Sequence, residues 1–525
     1  MALIANANAR LRARELTESL DALGEEGLAA LPVSSDALYA FQAKVLGKVV
    51  LPNNPSYAKD RRGHNMYPDL AYPAMIVYCE NHEDVRSCLQ FAHENPAMPF
   101  CVRGGGHCNA GYSVCDGMVI DVSPMHFVLI EPDHTHAWVG AGATLGHVYT
   151  ELDPYNLHVP GGECDTVGVA GHSMGGGYGF TSRNFGLNCD AIDAFRMMLH
   201  DGQVVYADAN TNADLFWAVR GATGNTLGVL LQIRYKLAHL DDVWGFVIRW
   251  PIRESAEVLP MLQRDYVRHG VTERLGYQCA WGPDGPVVKG DHACDPSEEY
   301  FFMMGMFNGS EAEARELIAP LLDVGSAELV KHQVGRYKDL NPFLLSWYHD
   351  PPMPGTFETK QSNFIARELS PVEWNEIIDY YLTKPNRYDM CAFEVYGGVA
   401  SNPSSDCAYI HRDVDFDLFI DNFMRPGWVG SDVPDGEKWL AGFNEVVARF
   451  ANGHKYQNYP NRHNHNYRWN YWGDAYNSLL FVKGKYDPNN FFTFQQGLSP
   501  YPDEAGIKRS EVPSHFDDPV IVYET

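Results

Sequence analysis

The chain has 525 residues, 45% hydrophobic and 13% aromatic, enough to bury a sizeable core divided over two or three lobes. Its formal net charge of −27 argues against nucleic acid or anionic membrane as a partner, because phosphate-rich surfaces call for a basic face; a neutral or cationic small molecule fits better. No run of 18 or more apolar residues occurs, and the charged N-terminal pattern MALIANANARLRARELTESLDALG lacks the apolar core and small-residue cleavage site of a signal peptide. The chain as given therefore reads as soluble, cytoplasmic and monomeric or weakly dimeric, with secretion left open.

Residues 1 to about 40 read as one or two helices ending near Leu31-Pro32, followed by a polar, proline-marked surface segment to Pro73. Ala74–Cys79 is a continuous apolar run suited to a buried strand. In the next segment Val85, Cys88, Leu89 and Ala92 recur at helical spacing, and Pro99–Val102 is a second strand. Short strands follow at Met118–Ser123, FVLIEP and HAWVGAGA, then a helix from Thr144 toward Leu152. Ala194–Asp208 forms a hairpin turning at Asp201-Gly202. A helix, a glycine-containing loop over Gly221–Gly228 and an apolar strand complete a first domain, residues 1–240. From 241 to 475 strand-like runs (VWGFVIRW, CAFEVYGG, FDLFIDNF) alternate with helices (EAEARELIAPLLD, PVEWNEIIDYYL), which predicts an antiparallel sheet with helices on one face. The segment 476–525 opens with an amphipathic helix and returns to the first domain. The fold class is α+β.

Two glycine-rich stretches stand out. Pro160–Phe180 holds eight glycines around Cys164, with Gly175, Gly176 and Gly177 in a row; Cys101–Gly111 places three between Arg103 and His107. Glycine lets backbone approach a bulky ligand where a Cβ would collide, so a nucleophilic imidazole and a nucleophilic thiol on two such loops point to one shared ligand. The eleven cysteines lack C-x-x-C spacing and the 21 histidines lack companion ligands at metal spacing, so no metal is expected. A GxGxxG fingerprint with its distal acidic residue is absent, which leaves a nicotinamide-type domain unsupported.

Arg103-Gly104-Gly105-Gly106-His107, the stretch GECDTVGVAGHSMGGGYG, EVYGG, His411-Arg412, Tyr456-Gln457-Asn458-Tyr459 and VKGKYDPNNFF follow one another in an order and at distances that resemble the berberine bridge enzyme-like flavoproteins of the vanillyl-alcohol oxidase group. The resemblance runs from about Gly47 to Leu498. It implies a two-lobed FAD-binding domain, and FAD attached twice, through His107 to the 8α-methyl carbon and through Cys164 to C6. Imidazole and thiolate are both good nucleophiles toward an electron-poor ring. The motif residues Arg103, Gly104, Gly105, Gly106, Val167, Gly168, Gly171, His172, Gly175, Gly176, Gly177, Gly228, Tyr456 and Asn458 would surround the cofactor.

The resemblance further implies hydride transfer to the flavin with a tyrosine as base. Tyr459 occupies that place, Tyr178 a second tyrosine near the ring, and Glu394 and Asp417 are the candidate carboxylates behind the base. Asp421, four residues from Asp417 on one strand face, is expected to be a solvated charge. A phenolate serves as base if its surroundings lower its pKa. Asn109 stands where many relatives carry a tyrosine, and Val167 matches a small residue that goes with oxygen access. The expected reaction is oxidation of a saccharide at its anomeric carbon to a lactone, with O2 as acceptor and H2O2 as product. The ring-bearing residues Trp347, Tyr348, Trp374, Tyr380, Tyr381, Trp428, Trp469, Tyr471 and Trp472 supply sugar-stacking surface. The alternatives are an oxidative enzyme of secondary metabolism acting on an alkaloid, terpenoid-phenol or polyketide, and a flavin-bearing protein without turnover.

Overall fold

The computed structural model describes residues 17–24, 31–64, 71–284, 295–345, 357–387, 389–402, 406–424, 436–499 and 520–522. Trp347, Tyr348, Trp428 and the first sixteen residues of the predicted N-terminal helices lie outside that set.

Three sheets carry the site. In the first, Met75–Tyr78, Met118–Asp121 and Phe100–Arg103 run parallel in that order, with Val49–Val50 antiparallel at one edge. Asn81 caps the following helix, His82–Glu94, by accepting from the Glu83 and Asp84 amides, and the helix buries Val85, Cys88, Leu89 and Ala92 as their spacing predicts. The second sheet is antiparallel, in the order Val128–Ile130, His136–Gly140, Val229–Lys236, Ile192–Met198 and Val204–Asp208. Its last two strands join at Asp201-Gly202, where Gly202 takes a φ of +81° that a side chain would resist.

The third sheet has seven antiparallel strands, in the order Glu328–Gly335, Val243–Pro251, Glu299–Phe307, Leu275–Pro283, Met390–Val395, Phe416–Met424 and Phe357–Ile365. Strand alternation decides what each face offers. Phe393, Val395, Phe416, Leu418 and Ile420 pack with Trp281 and Trp374 against the helices on one side. Glu394, Asp417, Phe419 and Asp421, one residue out of phase, therefore face the other two sheets. Two of the covering helices, Glu311–Leu322 and Pro371–Tyr381, start at S-x-x-E capping boxes, Ser310/Glu313 and Ser370/Glu373; losing such a serine cap costs roughly 0.5–2 kcal/mol.

The third sheet is pinned to the N-terminal half through its backbone. The buried Arg183 guanidinium donates to Leu275 O at 2.8 Å, to Tyr266 O at 2.6 Å and to Tyr396 O. A Cβ on Gly276 would sit 1.5 Å from Phe180 O, so only glycine permits that approach. The helix Tyr476–Tyr486 packs on the N-terminal half: Lys483 Nζ donates to Thr226 O and pairs with Asp487 at 2.6 Å, both side chains fully buried.

Two expectations change. Helical structure does not end near Leu31-Pro32; Ser34 caps a further helix, Ser35–Gln42, by accepting from Ala37 N. The Tyr476–Tyr486 helix is not amphipathic in its residue pattern: its buried side carries Ser478 and Lys483 beside Leu479, Leu480 and Val482, while Phe481 lies on the half-buried side.

Candidate active site

The two glycine loops meet. A Cβ on Gly105 would lie 2.3 Å from Gly168 N, and one on Gly168 2.4 Å from Gly105 N, so the contact requires glycine on both sides. It brings His107 Nε2 to 2.8 Å from Thr166 Oγ1, two residues beyond Cys164. His64 stacks on the His107 ring with centroids 3.9 Å apart. Burial, with the neighbouring His64 next, pulls the His107 imidazole down to about 3, so the ring is neutral at working pH and keeps a lone pair for bond formation. Cys164 is accessible; protein packed around its sulfur, and then the Glu163 charge, push its thiol up to about 12. Gly105, His107 and Thr166 line a cavity of about 640 Å³ together with His64, Lys59 and Arg62. A second cavity, about 730 Å³, lies apart from these loops, between residues 80–83 and 124–128.

The row Gly175-Gly176-Gly177 makes room for protein. Added Cβ atoms would sit 1.9 Å from Asn458 Oδ1, 2.5 Å from the Tyr409 ring and 2.6 Å from Asn188 Cβ. Protein packing alone therefore requires glycine at all three, against Asn458 and Tyr409 from the C-terminal part and Asn188 from the following turn. Tyr456 Oη accepts from the Gly177 and Tyr178 amides at 3.1 and 3.2 Å, and Asn458 Nδ2 donates to His172 O at 3.0 Å. His172 Nε2 accepts from Gly162 N at 3.1 Å, and burial holds its ring near 4. Arg103 is buried against Asp121 on the neighbouring parallel strand. The Val167 amide closes a turn onto Cys164 O at 3.1 Å, and Gly228 packs where a Cβ would meet Met198 O at 2.6 Å. By contrast, Gly171 has nothing within 4 Å of its Cβ position and Gly104 only Ala141 O at 3.5 Å, which leaves space on the loop face.

On the third sheet, register places Gln278, Glu394 and Asp417 side by side on three adjacent strands. Tyr459 Oη donates to Glu394 Oε1, and Gln278 Nε2 donates to Glu163 Oε1 at 2.6 Å. The Lys360 ammonium lies 4.3 Å from the Tyr459 ring centroid and 4.6 Å from that of Phe419, and pairs with Asp421 at 3.2 Å. Asn109 Nδ2 donates to Glu358 Oε1 at 2.7 Å. Burial raises the Glu394 carboxyl well above the ordinary range, with Asp417 and Glu163 adding to the shift. Burial likewise lifts Asp417 and Glu163 to about 7 each and Asp421 to about 8. Glu394 Oε2 and Asp417 Oδ2 are buried without a partner among the described residues.

Three further expectations meet different geometry. Burial and then Glu394 raise the Tyr459 phenol instead of lowering it, so a standing phenolate is not what this environment favours. Asp421 is buried and ion-paired, not solvated. Trp374 and Tyr381 belong to the helix-side core and Tyr471 and Trp472 to the core of the N-terminal half, so they offer no stacking surface to a substrate. Tyr178 has its hydroxyl engaged with the backbone, accepting from Val395 N at 3.0 Å and donating to a strand carbonyl. Lys360, Glu163, Gln278 and His64 were not singled out in the sequence. The signal available for Lys360 was a lone lysine at an inward position of FETKQSNFI; pairing across strands is not written locally.

Residues 73–208 match the FAD binding domain family and residues 455–499 the berberine and berberine-like family. Along most of its length the chain is also similar to the uncharacterized FAD-linked oxidoreductase YgaK of Bacillus subtilis, 28% identical over 473 residues, covering 87% of this chain and 98% of the relative. The chain is an FAD-linked oxidoreductase that carries both the FAD binding domain and the berberine-like domain. The oxidoreductase shares its fold with the Physcomitrella patens BBE-like 1 wild-type structure, at a TM-score of 0.78 and 23% identity over 89% of this chain and 99% of that one. It is 26% identical over 507 residues to the chitooligosaccharide oxidase of Gibberella zeae, covering 90% of this chain and 96% of that protein. FAD fits the residues present. The space left at Gly104 and Gly171, the neutral His107 and the accessible Cys164 adjoin one another where two loops touch, and the Tyr459–Glu394 pair is presented from the sheet opposite.

Proposed function

We propose that this FAD-linked oxidase takes a saccharide, oxidises its anomeric carbon to a lactone and passes the electrons to O2, with FAD bonded to both His107 and Cys164. The observation that carries the saccharide reading is the polar lining beside Tyr459: the pairs Asn109–Glu358, Gln278–Glu163 and Lys360–Asp421 keep further donor and acceptor positions that a hydroxyl-rich ring can use and an apolar alkaloid face cannot. The similarity to a chitooligosaccharide oxidase agrees with it.

FAD, when bound, supplies the hydride acceptor. The chain supplies the proton acceptor. Tyr459 Oη already donates to Glu394, so a proton leaving the substrate hydroxyl for Tyr459 moves the phenol's own proton to Glu394 in the same step. A carboxylate whose pKa is raised by burial is a stronger base than one in water, which is why the pair does not need a standing phenolate. Lys360, over the Tyr459 ring, favours negative charge developing on it. Asp417 sits beside Glu394 and takes a hydrogen bond from Ser362, which holds it apart from the transfer.

The test is anaerobic mixing with mono- and oligosaccharides while flavin absorbance is followed, then admission of air. Bleaching by a saccharide, with colour returning as peroxide forms, is the expected outcome; bleaching only by phenolic or alkaloid compounds would transfer the reading to secondary metabolism. For the attachment, flavin is expected to stay on the denatured chain in wild type and in either His107→Ala or Cys164→Ala. Release from the wild type would refute both bonds.

A further inference from the structure

In the buried cluster that also holds Tyr178, Tyr409 and Tyr456, two thiols from distant parts of the chain face each other. Cys189 lies in the turn Asn188–Ala191, which follows the short helix Ser182–Phe185 and folds back on the glycine row, its amide bonded to Gly176 O at 2.9 Å. Cys407 lies where the chain leaves the seven-stranded sheet to cross the N-terminal half, with Ala408 N on Trp217 O at 3.1 Å and Tyr409 N on Arg220 O at 3.2 Å. The two sulfurs and an Asp190 carboxylate oxygen lie within 4.8 Å of one another. Arg412 closes the cluster: it donates to Cys407 Sγ at 3.2 Å and to Cys189 Sγ at 3.7 Å, and forks onto Asp190 with two contacts of 2.7 Å. The guanidinium occupies the position that a metal cation would take, so the arrangement suits a thiolate and not a metal centre.

The cluster is asymmetric. Cys407 retains 9% of its accessible surface and Cys189 none, so a small oxidant reaches Cys407 first. The Cys189 S–H and the Arg412 charge bring the Cys407 thiol down to about 6, while burial carries Cys189 the other way. Cys79 and Cys88, with sulfurs 3.8 Å apart, present the contrast: they sit in apolar core, and the Cys79 thiol is pushed well up.

We propose that Cys189 and Cys407 are a peroxide-oxidised dithiol that closes to a disulfide joining the turn packed on the glycine row to the segment that leaves the seven-stranded sheet. The Cys407 thiolate attacks one oxygen of hydrogen peroxide. The O–O bond breaks, the departing hydroxide takes up a proton as water, and the sulfur is left as a sulfenic acid, oxidised by two electrons. Cys189 sulfur then attacks that sulfur. The S–O bond breaks, the hydroxide leaves with the Cys189 proton as a second water, and the S–S bond forms. One peroxide is reduced for each disulfide made. An O2-dependent oxidase makes this oxidant itself, but the test supplies it as a reagent and is independent of the substrate assignment. Because a Cβ at Gly176 would already meet the Tyr409 ring, the bond would clamp Tyr409 onto the glycine row and tie together chain segments more than 200 residues apart.

The experiment titrates the holoenzyme, without substrate, with hydrogen peroxide, alkylates remaining thiols under denaturing conditions and identifies peptides by mass. A cross-link between the Cys189 and Cys407 peptides is expected near one equivalent of peroxide, reversible by dithiothreitol, with Cys79, Cys88, Cys279 and Cys391 still alkylated and the thermal midpoint raised by several degrees. In Cys189→Ser a dimedone adduct should collect on Cys407; in Cys407→Ser none should form on Cys189. Full alkylation of Cys407 after peroxide, or an adduct on Cys189 in Cys407→Ser, would overturn the assignment, and the wild-type digest alone decides it if a variant folds poorly.

Discussion

Glu394 is a carboxyl whose surroundings oppose its charged form. Burial, Asp417 and Glu163 all raise its pKa, and proton acceptance requires the charged form, so flavin reduction should increase with pH along a limb above the ordinary carboxylate range. Glu394→Gln should flatten that limb and slow reduction by roughly 10²–10⁴-fold, read by stopped-flow absorbance; Tyr459→Phe should slow it to a similar degree while leaving the flavin in place. The same shift affects stability. A folded-state pKa above the unfolded value means that the native state binds more protons, so stability is lost as pH rises from the unfolded pKa through the folded one. Glu394→Gln removes that loss, and its thermal midpoint at pH 8 should exceed that of the wild type. A more stable but inactive variant is the expected signature of a group retained for chemistry.

At the scale of elements, the loops were legible in the sequence because their chemistry is local. His107 and Cys164 stand in glycine-rich stretches, and the helices of the third sheet announce themselves by S-x-x-E boxes. The purpose of individual glycines was not legible. Gly175, Gly176 and Gly177 look the same as Gly104 and Gly171 in sequence, but the first two meet Asn458 and Tyr409, residues whose proximity depends on how distant segments pack, and the third meets Asn188. The Gln278–Glu394–Asp417 row has the same character: alternation shows which residues share a face, and only register shows which of them touch. Gly105→Ala tests the loop contact, since its Cβ would stand 2.3 Å from backbone that cannot rotate away. Folded protein with a sharp fall in flavin content is expected, measured as the ratio of flavin to protein absorbance.

At the scale of the molecule, two buried cations join parts remote in sequence. Arg183 donates to four backbone carbonyls of the seven-stranded sheet and its connections. Hydrogen bonds to charged groups contribute about 1.5–3 kcal/mol each, so Arg183→Met should lower stability by several kcal/mol, and limited proteolysis should release the seven-stranded sheet before the N-terminal half. Lys483 pairs with Asp487, whose carboxylate also accepts from the Phe491 and Phe492 amides. Lys483→Met strands that buried charge, and a loss of about 3–5 kcal/mol is expected, read as a shift in urea midpoint.

The hydroxyl that completes the glycine row belongs to Tyr456, 279 residues after Gly177. At a synthesis rate of about 5–20 residues per second, the ribosome takes on the order of tens of seconds to deliver it. Throughout that interval the nascent chain carries both glycine loops without Tyr456 or Asn458 behind them. The partner that buttresses the row is thus made long after the loops it supports, and the timetable of translation, not the affinity of any single loop, sets the earliest moment at which a finished cofactor site can exist.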